Sequence, residues 1–161
     1  MKSEKKYLIF ILLIFGGGSL ILQSLFVPLM EIQLWKPDLV LIIVLLTGKR
    51  FQSLKGSTAG FILGIIQDSL TGMPIGITAL PKAIVGYAAG KTKSIGLEGT
   101  LYYIWFVFLI LLHEIIAFAF FQFKTDISYA FLLYSRVFPN TIYTTLMLFV
   151  VNSFTSKYFT E

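Results

Sequence analysis

The sequence contains no cysteine, only one histidine and few charged residues. Without cysteine the chain has no disulfide, no thiolate nucleophile and no cysteine-ligated metal site. Only 13% of the 161 residues are charged, whereas about a quarter are charged in an average soluble domain. Hydrophobic residues make up 57% of the chain and occur in long runs rather than in amphipathic patterns. The sequence therefore predicts an integral membrane protein.

The common catalytic motifs are missing as well. His113 and Glu114 begin like the zinc-protease motif His-Glu-x-x-His, but that motif needs a second histidine, which the chain lacks. There is no Gly-x-Ser-x-Gly nucleophile elbow and no glycine-rich phosphate-binding loop. The net charge of +5 comes from short basic clusters between apolar runs, a pattern typical of membrane topology rather than of nucleic-acid binding. We expect no catalysis, no cofactor and no nucleic-acid partner.

Six apolar runs divide the chain, at about residues 7–30, 34–48, 56–71, 75–90, 101–123 and 138–156. A helix that crosses a bilayer needs about 20 residues, with a range near 17–25. The first, fifth and sixth runs are long enough, and the other three are short. We expect six transmembrane helices in one compact bundle, forming a single polytopic membrane domain over residues 1–161. The first run resembles a signal peptide at its start, but it continues through Leu29 without a polar cleavage region, so we expect it to be retained.

The positions of the basic residues predict the orientation of the bundle. With the N-terminus in the cytoplasm, nine basic residues fall in inside segments and three in outside segments. The inside residues are Lys2, Lys5, Lys6, Lys49, Arg50, Lys55, Lys91, Lys93 and Lys157, and the outside residues are Lys36, Lys124 and Arg136. This asymmetry follows the positive-inside rule, so we expect both termini in the cytoplasm. A re-entrant hairpin formed by the third and fourth runs would leave the same loops inside, and the sequence does not decide between the two arrangements.

Between the fifth and sixth runs lies an aromatic segment, residues 128–138. We expect this segment to lie along the outer membrane interface before Pro139 starts or kinks the last helix.

Asp68 and Lys82 interrupt the third and fourth runs, where an ionised side chain is costly. Gly72, Pro74 and Gly76 predict a tight turn between the two runs. Small residues, which allow helices to approach closely in lipid, recur beside both charges: Gly56, Gly60, Gly64, Ala79, Ala83, Gly86 and Gly90. We therefore expect a helical hairpin in which Asp68 and Lys82 pair with each other. The alternative is that each side chain reaches water separately.

Three further polar positions stand out. Pro37 suits the first turn of the second helix, and Asp38 suits the positive end of its dipole. A helix start alone explains both residues. His113 and Glu114 lie near the middle of the fifth run. Because neighbours on a helix point about 100° apart, we do not expect these two to satisfy each other, and we expect Glu114 to be protonated or bonded to another helix.

Several of these positions form an ordered pattern. The second helix starts with Pro-Asp, the third carries Gly-x-x-x-Gly and ends in Asp-x-x-x-Gly-x-Pro-x-Gly, and the fourth carries Gly-Tyr-x-x-Gly. The positions are Pro37, Asp38, Gly60, Gly64, Asp68, Gly72, Pro74, Gly76, Gly86, Tyr87 and Gly90. In this pattern residues 36–90 resemble the rod shape-determining protein MreD family. Lys82 departs from it, because the family would be expected to have an apolar or small residue there.

The resemblance implies a non-enzymatic subunit of the bacterial cell-elongation complex, embedded in the cytoplasmic membrane. Such a subunit would bind MreC and help couple MreB filaments to the RodA glycosyltransferase and its penicillin-binding transpeptidase. The motif residues would then serve the fold or an interface with partners or membrane lipid.

A six-helix bundle of this size also resembles the substrate-binding S component of an energy-coupling-factor vitamin transporter. In that alternative Asp68, Lys82, His113 and Glu114 would line a ligand pocket. The resemblance also implies small residues at four-residue spacing on the first helix, and this chain has only the cluster at residues 16–19.

Overall fold

The computed structural model describes residues 2–29, 31–32, 35–92, 94–97, 99–122 and 128–159. Within these residues the chain is largely helical, and the helices form six segments. The expected all-α fold is therefore confirmed. Residues 30, 34 and 123, at the ends of three predicted helices, and Lys93 and Lys124, used to predict the orientation, lie outside the described residues.

The six segments are numbered α1 to α6 in chain order. α1 covers residues 2–25 and consists of Lys2–Ile11, a π turn at Leu12–Gly16, and Gly17–Leu25, followed by a 3₁₀ turn at Val27–Leu29. The next four segments are α2 (Leu39–Phe51), α3 (Ser53–Thr71), α4 (Ala79–Ala89) and α5 (Gly99–Gln122). α6 covers residues 129–159 and consists of Tyr129–Leu132, a π turn at Leu133–Val137, and Phe138–Phe159.

Among the described residues, three stretches are long and apolar enough to cross a membrane: Lys6–Leu29, Thr100–Gln122 and Tyr129–Thr155. They belong to α1, α5 and α6, which correspond to the first, fifth and sixth predicted crossings. α2 and α4 have 13 and 11 residues, fewer than the roughly 17 that a single spanning helix needs. Three of the six segments are thus long and apolar enough to span a membrane, and six crossings remain a prediction.

Two helices start later than their apolar runs. α2 starts at Leu39 because Asp38 is extended, with φ −103° and ψ 93°, and caps the helix. Pro37 therefore precedes the helix, and its predicted place in the first turn is wrong. α4 starts only at Ala79 because residues 72–78 form the turn after α3. In this turn Gly72 and Gly76 have φ values of 67° and 105°, a region that favours glycine.

α6, by contrast, starts nine residues before Phe138, at Tyr129. Most of the aromatic segment is thus helical, and Pro139 does not start the helix. A proline lacks the N–H that would bond to the carbonyl four residues earlier. The π turn at Leu133–Val137 contains Ser135, the residue whose carbonyl would otherwise accept that hydrogen bond from position 139.

α2 lies at the centre of the bundle, and all its residues from Val40 to Gly48 are buried. α3 and α4 form an antiparallel hairpin beside it. A β-carbon at Gly56, Gly60 or Gly64 would overlap the backbone of Gly86, Lys82 or Ala79, respectively. Small residues therefore allow the backbones of α3 and α4 to touch, and this close packing places Lys82 beside the start of α2.

Candidate functional site

The side chain of Lys82 lies at the centre of a buried polar network. Its Nζ donates to Asp38 Oδ2 at 2.5 Å and lies 3.4 Å from His113 Nε2. Lys82 has no exposed surface, and Asp38 is 8% exposed. The expected pair between Asp68 and Lys82 is wrong, because the ammonium group pairs with a carboxylate at the start of α2 instead.

Asp38 also caps α2. Its Oδ1 accepts a hydrogen bond from the Leu41 N–H at 2.8 Å, and its own N–H donates to Thr144 Oγ1 on α6 at 3.0 Å. The positive end of the helix dipole and the ammonium group of Lys82 both favour the ionised carboxylate. Asp38 therefore links α2, α4 and α6. From the sequence alone, a role at the start of α2 was enough to explain this residue.

His113 and Glu114 continue the network into α6. His113 Nδ1 is 3.1 Å from Glu114 Oε1, so the expectation that these neighbours would not satisfy each other is wrong. The lysine ammonium can only donate, which makes His113 Nε2 the acceptor and assigns the ring proton to Nδ1. Glu114 Oε2 accepts from Asn140 Nδ2 at 3.2 Å, and Asn140 Oδ1 accepts from the Lys36 N–H at 3.0 Å.

α1 joins the same region through Gln23. Its Nε2 donates to the Pro37 carbonyl at 3.0 Å, and its Oε1 accepts from the Leu39 N–H at 2.8 Å. Gln23, Asn140 and Thr144 were not predicted from the sequence. The available signal was a polar residue inside an apolar run, and Asn140 and Thr144 are also four residues apart, which places them on one helix face.

Asp68 has a separate set of partners in the turn between α3 and α4. Its carboxylate accepts hydrogen bonds from the Gly76 N–H at 2.8 Å, the Thr78 hydroxyl at 2.6 Å and the Thr78 N–H at 3.2 Å. A longer bond comes from the Ala79 N–H at 3.4 Å. The side chain is fully buried. These donors satisfy the carboxylate without a cation, so Asp68 fixes the turn and the start of α4.

The remaining motif residues surround this hairpin. Pro74 lies in the turn between Gly72 and Gly76, and a β-carbon at Gly90 would overlap the backbone of Ser53. Tyr87 is exposed, and Lys91 Nζ lies 5.5 Å from the centre of its ring.

A cavity of about 150 Å³ borders the network. Asp38, His113, Glu114 and Asn140 contribute polar groups to its lining. Among the described residues there is no group of three or more histidine, cysteine or acidic side chains that could hold a metal ion. The acidic groups bordering the cavity, Asp38 and Glu114, are bonded to partners on neighbouring helices, and these bonds hold the helices together.

The family model of the rod shape-determining protein MreD matches residues 3–158. The chain belongs to the MreD family. No curated protein and no solved structure matches it. The MreD match extends far beyond the 36–90 segment in which the resemblance was seen, and it gives the chain a role in rod shape determination as a bacterial membrane protein. The S-component alternative gains no support.

Proposed function

We propose that this chain is a non-enzymatic subunit of the bacterial cell-elongation complex that binds MreC. Through MreC it would help couple MreB filaments to RodA and its penicillin-binding transpeptidase. The MreD match over residues 3–158 carries the proposal. We further propose that the chain crosses the cytoplasmic membrane six times as a single domain, with both termini in the cytoplasm.

The hydrogen bonds and the ion pair among the buried polar groups support a scaffolding role. Asp38, Lys82, His113 and Glu114 are bonded to one another or to neighbouring helices. Groups that act in catalysis need a free position for a reacting atom beside a nucleophile or base. Mutual pairing instead suits a rigid body whose outer surface is recognised by other membrane helices.

The outer surface supports the same role. Large apolar side chains are exposed along the membrane-spanning helices, among them Leu13 and Leu25 on α1, Ile104 on α5, and Ile142 and Phe154 on α6. In lipid, helices associate through close packing rather than through a hydrophobic driving force. Such surfaces are available both to acyl chains and to a partner's membrane helix.

The test is recovery of MreC with the affinity-tagged chain from detergent-solubilised membranes. We expect MreC to co-purify with the tagged chain and not with a tagged, unrelated membrane protein expressed at the same level. Absence of MreC from a preparation whose tagged chain is folded and monodisperse would contradict the proposed partner.

A second test addresses the absence of catalysis. In rod-shaped cells depleted of their own copy, the wild-type chain should restore rods. Glu114→Gln keeps the size of the side chain and a carbonyl acceptor, so it should also restore them as long as the protein folds. Loss of rods with a folded Glu114→Gln protein that still recovers MreC would indicate a reactive role for the carboxylate.

A further inference from the structure

The cavity beside the polar network has two kinds of wall. Polar groups of Asp38 and Glu114 line one part, and Met73, Ile77 and Phe118 supply apolar surface. Its volume of about 150 Å³ is well above the roughly 10–15 Å³ that a single water molecule needs. Space of this size, with both polar and apolar walls, suits part of an amphipathic ligand.

Two groups at the cavity have no partner among the described residues. Gln67, on α3, is only 6% exposed, and its Oε1 accepts no hydrogen bond from any residue that the structure describes. Arg136, in the π turn of α6, is half-buried and makes no hydrogen bond or ion pair within the described part of the chain. Buried polar atoms are nearly always satisfied by protein, water or ligand, and π turns are frequent at functional sites.

The other charged groups that line the cavity already have partners. Asp38 pairs with Lys82, and Lys36 pairs with Glu31 at 3.3 Å. Glu114 accepts from His113 and Asn140. Arg136 is thus the charged group at the cavity that has no ion pair among the described residues, and the planar set of donors of its guanidinium matches the oxygens of a phosphate. Gln67 Oε1, in turn, needs a donor such as a hydroxyl.

We propose that this cavity binds the headgroup of a membrane phospholipid that carries both a phosphodiester and a hydroxyl group, as phosphatidylglycerol does. Arg136 binds the phosphate, Gln67 Oε1 accepts from a headgroup hydroxyl, and Ile77 and Phe118 contact the apolar part of the lipid. The spanning helices place the cavity in a protein that is surrounded by such lipids, which favours a lipid over a free phosphoester. The proposal does not depend on MreC.

The test uses the purified full-length chain, stripped of lipid in detergent and titrated with phosphatidylglycerol or phosphatidylcholine. Native mass spectrometry counts the bound lipid, and thermal unfolding reports stabilisation. We expect tighter binding of phosphatidylglycerol by the wild type. Arg136→Gln should weaken that binding by roughly tenfold or more, since a charge-assisted bidentate contact is lost. The matched control is Lys91→Gln, which removes one exposed positive charge away from the cavity and should leave binding unchanged.

The hydroxyl is tested with phosphatidylmethanol, which has the phosphodiester but no headgroup hydroxyl. The wild type should bind phosphatidylglycerol more tightly than phosphatidylmethanol, and Gln67→Leu should remove that preference. If Arg136→Gln does not fold, Arg136→Lys serves in its place, because it keeps the charge and loses the bidentate geometry. It should bind more weakly than the wild type.

Glycerol phosphate distinguishes the two sources of the phosphoester. Stabilisation by glycerol phosphate as strong as by the lipid, with the same dependence on Arg136, would support the phosphate site and overturn the lipid as its ligand. Equal binding by the wild type and a folded Arg136→Gln variant would overturn the site itself. An equal loss of lipid binding in Lys91→Gln would also overturn the site, because binding would then depend on surface charge rather than on Arg136.

Discussion

Lys82 donates a hydrogen bond from the first turn of α4 to Asp38, the residue that caps α2, at 2.5 Å and across 44 positions of sequence. Either charge alone would be costly in this buried place, and the pair with its neighbouring donors offsets much of that cost. The contact holds the α3–α4 hairpin against the start of the central helix.

The first prediction follows from this pair. Asp38→Asn and Lys82→Met should each destabilise the protein by about 3–5 kcal/mol, since each leaves a buried charge without its partner. The double variant should recover part of the loss, because neither charge remains. Thermal unfolding in detergent measures all three. The control is a second double-mutant cycle, which combines Lys82→Met with Asp68→Asn. Here the two losses of stability should be additive. Additive losses in the Asp38 cycle would contradict a coupled pair.

The second prediction concerns the turn after α3. Asp68→Ala removes the acceptor for the Gly76 and Thr78 donors and should cost about 1.5–3 kcal/mol per hydrogen bond to the charged group. Hydrogen exchange at residues 76–79 should become faster, while exchange in α2 changes little. Ser69→Ala is the matched control, because that exposed hydroxyl donates to the Ile65 carbonyl of its own helix and, among the described residues, lies outside the Asp68 contacts. Unchanged exchange in Asp68→Ala would show that other contacts hold the turn.

The third prediction tests the contact between α3 and α4. Gly60→Leu would force a side chain into the backbone of Lys82 and should reduce the folded yield strongly. Gly17→Leu is the control within the same chain, since a β-carbon at Gly17 meets no atom within 4 Å. Size-exclusion profiles of the two fluorescently tagged variants provide the comparison. Similar profiles would count against a tight contact at Gly60.

The fourth prediction addresses the number of crossings. The chain has no cysteine, so a single introduced cysteine can be labelled without background. With six crossings, Ile75→Cys should react with a membrane-impermeant maleimide in intact spheroplasts, and Ser94→Cys only after permeabilisation. Both positions are exposed in the structure. If Ile75→Cys also required permeabilisation, α3 and α4 would form a re-entrant hairpin instead.

The features that were predicted correctly from the sequence are those that depend on neighbouring residues. Apolar runs located the six helices, and glycine and proline at residues 72–76 located the turn. Helix ends were less accurate, because the caps at Asp38 and the late start of α4 depend on hydrogen bonds rather than on hydropathy. Proximity in sequence suggested Asp68 as the partner of Lys82. The partner is instead Asp38, which caps α2, outside the hairpin.

The sequence by itself determined that this is a helical membrane protein of the MreD family, because composition, run length and motif order need no knowledge of the packing. The partners of the buried polar groups were decided only by the tertiary structure. The carboxylate of Asp68 accepts hydrogen bonds from N–H groups of its own turn. Lys82 therefore pairs with Asp38, the carboxylate that the close packing at the glycine residues brings nearest to it. Arg136 and Gln67 likewise lie at one cavity only because α3 and α6 pack around the same space.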